Sequence, residues 1–188
     1  MSEVIYDQSF VASVINGKQD VRAWFDWKPL DGRMAFIDSP NIIVPASMFM
    51  ALHKSMTKIV GEAAAGGVIS YRAYMDLGIE NVAYLQKKGF NDPETLVPLA
   101  VSLFSQMGWF KIDRIDRNPQ TKETTIRLSQ CIESETFGAS NKTVCNCTNG
   151  LLTGIVAGAY GIKVRGKETA CLSKGDQYCE FVITESAS

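Results

Sequence analysis

The chain has 188 residues, of which 46% are hydrophobic and 21% charged, so it is long enough for one well-filled core and short for two. Nineteen basic and twenty acidic residues leave a net charge of -1 without a basic stripe, which argues against direct nucleic-acid binding. The N-terminus lacks the basic start and apolar core of a signal peptide, and no apolar run reaches the roughly 18 residues that a membrane span needs. We therefore expect a cytoplasmic protein with reduced cysteines.

The beginning of the chain alternates short β-type runs with turn residues. Two such runs, over residues 11–15 and 21–27, are separated by an Asn-Gly dipeptide that is typical of hairpin turns. The pattern predicts a β-hairpin extension over residues 1–39, followed by one domain over residues 40–188.

Three helices are predicted in the first half of that domain. Apolar residues spaced by three and four predict a helix over residues 45–61 with one face in the core. His53 falls on its flank, where a structural or solvated role is more typical than a ligand role. A second helix is predicted over residues 68–88, and Asp92 as N-cap begins a third that ends at Gly108.

An antiparallel pair of strands is predicted next, over residues 109–115 and 121–134. Cys131 lies in the second strand and is expected to be a small core residue. A helix capped by Thr148 or Asn149 follows. Glycine recurs in it at every fourth position, which leaves one face free of side chains and predicts close packing against another element.

A strand hairpin at the end of the chain brings four candidate metal ligands into one region. Cys171 and Cys179 lie near its closed end, and Cys145 precedes the glycine-rich helix. Glu168 and Cys171 are three residues apart, which places them on opposite faces of a regular strand, so a bulge at residues 169–170 is needed to bring both to one metal. Three thiolates and one carboxylate suit tetrahedral zinc and leave no open position, which predicts a structural metal. On these residues alone, buried free thiols are an equal alternative.

A wider pattern surrounds these four residues and consists of GLLTG at 150–154, ETAC at 168–171, KGD at 174–176 and CEF at 179–181. It resembles the 4-vinyl-reductase-type, or hydrocarbon-binding, domain, a family that includes the sensor domains of phenol-responsive activators and stand-alone archaeal and bacterial proteins. In the phenol sensors a zinc is held by a Cys, a Glu 23 residues later, and Cys residues three and eleven positions after that Glu. Here the intervals are 168 − 145 = 23, 171 − 168 = 3 and 179 − 168 = 11. The resemblance therefore selects Cys145 over Cys147 and implies a zinc ion held by Cys145, Glu168, Cys171 and Cys179.

The same resemblance implies an α+β fold in which an antiparallel β-sheet packs against helices, similar to the ligand-binding folds of trafficking-complex, NO-signalling and Golgi-transport proteins. It also implies a homodimer formed through the N-terminal region and helices. In the phenol sensors a His and a Trp on strands ahead of the first zinc cysteine hold the phenol hydroxyl. The predicted strand over residues 121–134 has no Trp, and His53 lies on a predicted helix, so phenol recognition is not carried over.

Two main classes of function follow. The first is a zinc-stabilised sensor or binding protein for a small apolar or aromatic molecule, which would act through a separate effector protein because the sequence shows no ATPase or helix-turn-helix segment. The second is an accessory protein or reductase component in (bacterio)chlorophyll or tetrapyrrole vinyl-group metabolism, although no GxGxxG turn is present to hold a hydride donor. We favour the first, with no catalytic residues; a scaffold subunit with a filled core is a third alternative. The side chains expected to line the pocket, each of which is by itself more typical of plain core, are Met50, Tyr74, Tyr84, Phe104, Trp109 and Phe110.

Overall fold

Helices and antiparallel sheets alternate along the chain in the computed structural model, which describes residues 12–14, 16, 25–36, 39–118 and 120–186. In these residues one sheet has three short strands in sequence order, β1 (Phe25–Lys28), β2 (Arg33–Phe36) and β3 (Ser39–Asn41). A second sheet has four strands in the order β4-β5-β7-β6, which are β4 (Phe110–Asn118), β5 (Glu123–Cys131), β6 (Val164–Ala170) and β7 (Cys179–Glu185). The main helices are α1 (Ser47–Val60), α2 (Tyr71–Lys87), α3 (Pro93–Gln106), α4 (Ile132–Phe137) and α5 (Asn146–Tyr160). The predicted α+β fold is confirmed.

Helix α5 lies at the centre of the fold. It packs along α2 on one side and contacts β6 and β7 on the other. Its apolar side chains are buried around most of its circumference, as expected for a helix enclosed by other elements. The residues of the sheet and of α5 that form the centre of the core, all fully buried, are Ile126, Leu128, Leu151, Leu152, Ile155, Val156, Phe181 and Ile183.

The glycines of α5 bring its backbone directly against α2, as the sequence predicts. A Cβ atom at Gly150 would collide with the carbonyl oxygen of Tyr71, and one at Gly154 would collide with the carbonyl oxygen of Met75. At both positions the obstacle is backbone, which cannot move aside as a side chain could. The spacing of four residues therefore sets the distance between the two helices.

The N-terminal hairpin forms later in the chain than predicted. Positions 12–14 are helical rather than extended, and the backbone N–H and side-chain amide of Asn16 both donate to the carbonyl of Ala12, at 3.0 and 2.7 Å. Asn16 therefore ends a helical turn, a position that Asn tolerates well. Residues 17–24 lie outside the described part of the chain. The observed hairpin joins β1 to β2 through a turn at Pro29–Asp31.

The N-terminal region also contacts the rest of the chain. The carbonyl of Val14 accepts a hydrogen bond of 3.1 Å from the Gln106 amide, and the Val14 side chain is fully buried. Strand β3 pairs with β2 across the predicted boundary at residue 39. The division of the chain at that residue stays a prediction.

Helix α1 forms where it is predicted, but its core-facing side was predicted wrongly. No residue of α1 is buried, and the side chains of Leu52 and Ile59 are 51% and 82% exposed. Its apolar spacing is that of an amphipathic helix, and such a pattern does not say whether the apolar face meets the core of its own chain or another surface.

Among the described residues no helix combines the length and the apolar content that a membrane crossing requires.

The remaining elements follow the predictions with shifted ends. The second predicted helix begins earlier, with a turn at Glu62–Ala64 and a π-helical segment at Ala65–Ser70 that continues into α2. The Asp92 side chain caps α3 by accepting from the N–H of Thr95 at 3.0 Å, as predicted. The predicted strand over residues 121–134 ends at Cys131, because α4 begins at the next residue.

Replacing Gly154 with Ala should destabilise the protein strongly, because the added methyl group must push α5 away from α2. We expect the free energy of unfolding to fall by at least about 1–3 kcal/mol, measured by urea denaturation. Gly67→Ala is the matched control, since a Cβ atom there meets nothing within 4 Å. Its stability should match the wild type or exceed it by up to about 1 kcal/mol. Equal stabilities of the two variants would contradict the helix contact described here.

Candidate metal centre and adjoining aromatic cluster

The four side chains predicted as metal ligands come together in the structure. The Sγ atoms of Cys145, Cys171 and Cys179 and a carboxylate oxygen of Glu168 lie within 4.8 Å of one another, and all four residues are buried. Cys145 directly precedes α5, Glu168 lies in β6, and Cys179 begins β7. One helix and two strands thus meet at this set.

The predicted bulge is what brings Glu168 and Cys171 to the same side. Glu168 pairs with Phe181, but the next pair along β6 joins Ala170 to Glu180, so the register shifts between residues 168 and 170. The loop after β6 is fixed by hydrogen bonds as well. The N–H of Cys171 donates to the Asp176 carboxylate at 2.8 Å, and the N–H of Leu172 donates to the Cys179 sulfur at 3.4 Å.

The distances in this set fit a tetrahedral metal ion. The Cys145 sulfur lies 3.9 Å from the Cys171 sulfur and 3.8 Å from the Cys179 sulfur. With zinc–sulfur bonds of about 2.3 Å, two sulfurs at the corners of a tetrahedron are about 3.8 Å apart. One Glu168 oxygen accepts from the N–H of Cys145 at 3.0 Å, whereas the other is buried without a hydrogen-bond partner among the described residues. Because an unsatisfied buried carboxylate oxygen is costly, a cation at this position would stabilise it.

The protonation of the set depends on its burial and its mutual contacts. Burial raises the pKa of Glu168 to about 9, and the nearby Cys171 thiol adds to the effect. Hydrogen bonds from Cys145 and Cys179 lower the pKa of the Cys171 thiol. Hydrogen bonds with Cys131, Cys171 and Cys179 raise the pKa of the Cys145 thiol. Without a cation the groups therefore share protons rather than all being ionised. Metal binding to such a set must release protons, so acid would weaken it.

Cys131 is a fully buried core residue, as predicted, and it also lies against this set. Its thiol donates to the Cys145 sulfur at 3.7 Å and lies 3.4 Å from the Thr148 hydroxyl. The interval pattern of the other ligands has no place for it. It arrives through the pairing of β5 with β7, in which Leu128, three residues earlier, lies opposite Cys179.

Glu133 is a second residue that the sequence did not indicate. Its carboxylate accepts from the N–H groups of Cys147 and Thr148, both at 2.9 Å, and from the Thr148 hydroxyl at 3.0 Å. It therefore caps the first turn of α5 from outside that helix, in place of the predicted caps Thr148 and Asn149. Burial raises the pKa of Glu133 to about 7, and the hydrogen bonds from Thr148 and Cys147 oppose that rise.

Three of the predicted pocket residues belong to one aromatic cluster. The Trp109 ring makes edge contacts with Tyr74 at 5.6 Å and Phe104 at 5.5 Å, measured between ring centroids. Phe49, which the sequence did not indicate, joins them at 5.3 Å from Trp109 and 6.2 Å from Tyr74. We call these four residues the aromatic cluster.

The other predicted pocket residues are more dispersed. Phe110 is buried at the start of β4, Met50 is half-buried on α1, and the half-buried Tyr84 has Lys88 over its ring at 5.5 Å. A cavity of about 310 Å³ lies beside two members of the predicted set; its lining residues are Ser105, Gly108, Trp109, Phe110, Lys111, Gln130, Ile132 and Glu135. His53 contacts the Phe137 ring at 5.8 Å, as expected for a structural residue.

A short segment joins the metal set to the aromatic cluster. Cys147 follows Cys145 by two residues, and its thiol lies near the Tyr74 hydroxyl and near Ser70. Burial raises the pKa of both Cys147 and Tyr74, so both are neutral groups at neutral pH. Tyr74 therefore contacts the Phe49 and Trp109 rings on one side and lies near the first turn of α5 on the other.

Comparison with known proteins shows what the C-terminal part of the chain is similar to. Residues 124–185 match the sequence model of the V4R domain. This part of the chain is therefore similar to the V4R domain. It contains all four residues of the metal set, and the family resemblance predicted from their spacing is confirmed. An uncharacterized protein of Methanocaldococcus jannaschii is 26% identical over 146 residues, which are 75% of this chain and 76% of that protein.

Solved structures show the same fold at low sequence identity. The phenol-responsive sensory domain of the transcription activator PoxR, solved with phenol, has a TM-score of 0.77 and 14% identity, covering 95% of this chain and 92% of that one. A vinyl-4-reductase family protein from Methanocaldococcus jannaschii has a TM-score of 0.55 and 13% identity, covering 99% and 100%. A trafficking protein particle complex subunit 3 from Naegleria fowleri, covalently bound to palmitic acid, has a TM-score of 0.56 and 14% identity, covering 76% and 93%. The predicted likeness to trafficking-complex folds is thus confirmed.

Proposed function

We propose that this protein is a binding module for a small apolar or aromatic molecule and that a zinc ion at Cys145, Glu168, Cys171 and Cys179 holds its binding region in shape. One observation carries the proposal: Tyr74 of the aromatic cluster lies near Cys147, two residues after Cys145 of the buried thiol set. An ion at that set would fix the first turn of α5, and with it the position of the Tyr74 hydroxyl.

The donor set supports zinc and a structural role. Thiolates select soft or borderline cations, and three thiolates with one carboxylate form a tetrahedral set with no position left for water or substrate. The four donors are also buried. In the proposed function the ion therefore has no catalytic role.

The aromatic cluster supports the class of ligand. Ligand sites are usually lined by apolar and aromatic side chains with a few polar groups that orient the ligand. Here the Tyr74 ring packs against other aromatic rings, and the Cys147 thiol lies near the Tyr74 hydroxyl. The structures of the same fold cited above were solved with phenol and with palmitic acid, two molecules that combine an apolar body with one polar group.

The exposed face of α1 supports a homodimer. Apolar side chains on α1 and on the π-helical segment next to it are exposed together; they are Met48, Leu52, Ile59, Val60, Val68 and Ile69. Monomeric soluble proteins rarely leave a contiguous apolar patch larger than a few hundred Å² uncovered. A second copy of the chain, presenting the same face, would bury it.

Replacing Cys179 with Ser should release the metal. Elemental analysis of the purified wild-type protein should find one zinc ion per chain, and the variant should contain far less. Because the binding free energy of a structural metal contributes to folding, the thermal unfolding temperature should also fall. Cys147→Ser is the control, since it changes the one cysteine whose sulfur lies outside the thiol contacts and should keep its zinc. Metal-free wild-type protein would contradict the proposal.

Replacing Trp109 with Ala should weaken ligand binding. Native mass spectrometry of the wild type should reveal a bound apolar compound, or calorimetric titration should detect binding of phenol, palmitic acid or protoporphyrin. For the compound that binds, Trp109→Ala should raise Kd at least about tenfold, equivalent to ~1.4 kcal/mol. Trp109→Phe keeps an aromatic ring and should lose less affinity for that compound than Trp109→Ala does.

Trp27→Ala is the control for this titration, because Trp27 is 59% exposed on β1 and should not affect binding. Binding of protoporphyrin alone would favour a role in tetrapyrrole metabolism over the sensing of small aromatic molecules. If no probe binds and the native protein carries no compound, the proposal of a binding module is wrong and a scaffold subunit is favoured.

Replacing Ile59 with Glu should convert a dimer into a monomer, because the new charge would be buried without a partner in the proposed interface. Light scattering after size-exclusion chromatography measures the change. Thr184→Glu adds the same charge at an exposed end of β7 and should leave the dimer intact. A wild-type protein that is monomeric at all concentrations would overturn this part of the proposal.

A further inference from the structure

The sulfur of Cys131 lies as close to the Cys145 sulfur as the sulfurs of the other two candidate cysteine ligands do. It lies 3.7 Å from the Cys145 sulfur, compared with 3.9 and 3.8 Å for the sulfurs of Cys171 and Cys179. Cys131 is fully buried, and its thiol also interacts with Cys179. The Cys145 sulfur thus has three sulfur neighbours at the spacing that a tetrahedral metal requires.

Two different groups can therefore serve as the fourth donor beside the three cysteines. Glu168 offers a carboxylate oxygen that is buried without a partner among the described residues. Cys131 offers a sulfur that lies outside the set of mutually close donors, so a small shift of the ion or a rotation of the Cys131 side chain is needed to use it.

We propose that Cys131 is an alternative fourth metal ligand, so that the centre can hold a thiophilic divalent cation with four thiolates when the Glu168 carboxylate is displaced. This inference rests on the proposed metal site. It extends that site from one fixed donor set to two sets that share Cys145, Cys171 and Cys179.

The two donor sets differ in the cations that they favour. A carboxylate is a hard ligand and suits zinc, whereas a fourth thiolate favours softer cations such as Cd²⁺. The exchange moves no electrons: one metal–oxygen bond breaks, one metal–sulfur bond forms, and the thiol proton of Cys131 passes to the released carboxylate or to solvent.

The test compares wild-type protein with Glu168→Ala, Cys131→Ser and the double variant. Zinc content and affinity are measured against a competing chelator, and Co²⁺ is substituted for zinc so that thiolate-to-cobalt absorption reports the number of sulfur ligands. Glu168→Ala should keep one metal ion per chain and show stronger thiolate-to-cobalt absorption than the wild type. The double variant should lose at least about 100-fold more affinity than Glu168→Ala, beyond the 10–100-fold that residues outside the direct ligands typically contribute.

Cys147→Ser in the Glu168→Ala background is the matched control and should keep its metal. If Glu168→Ala fails to fold, cadmium titration of the wild type and of Cys131→Ser replaces it. The wild type should then show the stronger thiolate-to-cadmium absorption.

The outcomes separate this inference from the proposed function. Wild-type protein without any metal overturns the proposed zinc site itself. Wild-type protein that binds zinc, together with a folded Glu168→Ala that binds none, overturns only the role of Cys131. Equal cadmium absorption in the wild type and Cys131→Ser overturns that role as well.

Discussion

The fold depends on how the buried amino end of α5 is held. The glycines of this helix bring its backbone against the backbone of α2, so α5 can shift little relative to α2. Buried N–H groups in its first turn need acceptors, and Glu133 supplies them at 2.9 Å from a neighbouring segment. Just before that turn, Cys145 places its sulfur among the thiols of two strands and its N–H on Glu168. Helix, sheet and candidate metal centre are thus fixed at one point.

In the proposed function, this arrangement would let a metal ion affect ligand binding without a catalytic role. The donors are buried and closed to solvent, so the ion would act only by constraining the chain. The constrained segment includes Cys147, which lies near Tyr74 of the aromatic cluster. In the proposed function, a change at the metal centre would therefore affect the ligand through Cys147 and Tyr74. The same closeness lets Cys131 contact the centre without being part of the family pattern.

The features that could be predicted from the sequence are those encoded by local spacing. The Asp92 cap, the glycine repeat and the bulge after Glu168 each lie within a few positions of chain, and the ligand set follows fixed intervals of 23, 3 and 11 residues. The features that were missed depend on contacts between distant segments. Glu133 and Cys131 approach α5 only after β5 pairs with β7. The apolar spacing of α1 is the same whether its partner is the core or a second chain, and an Asn-Gly pair can end a helical turn as well as form a hairpin.

The central claim is that three thiolates and one carboxylate hold a zinc ion in the native protein. X-ray absorption at the zinc edge, recorded on protein purified without added metal, tests it most directly. The account predicts about three sulfur neighbours at ~2.3 Å and one oxygen neighbour at ~2.0–2.2 Å. A spectrum without a sulfur shell, or protein without zinc, would contradict it.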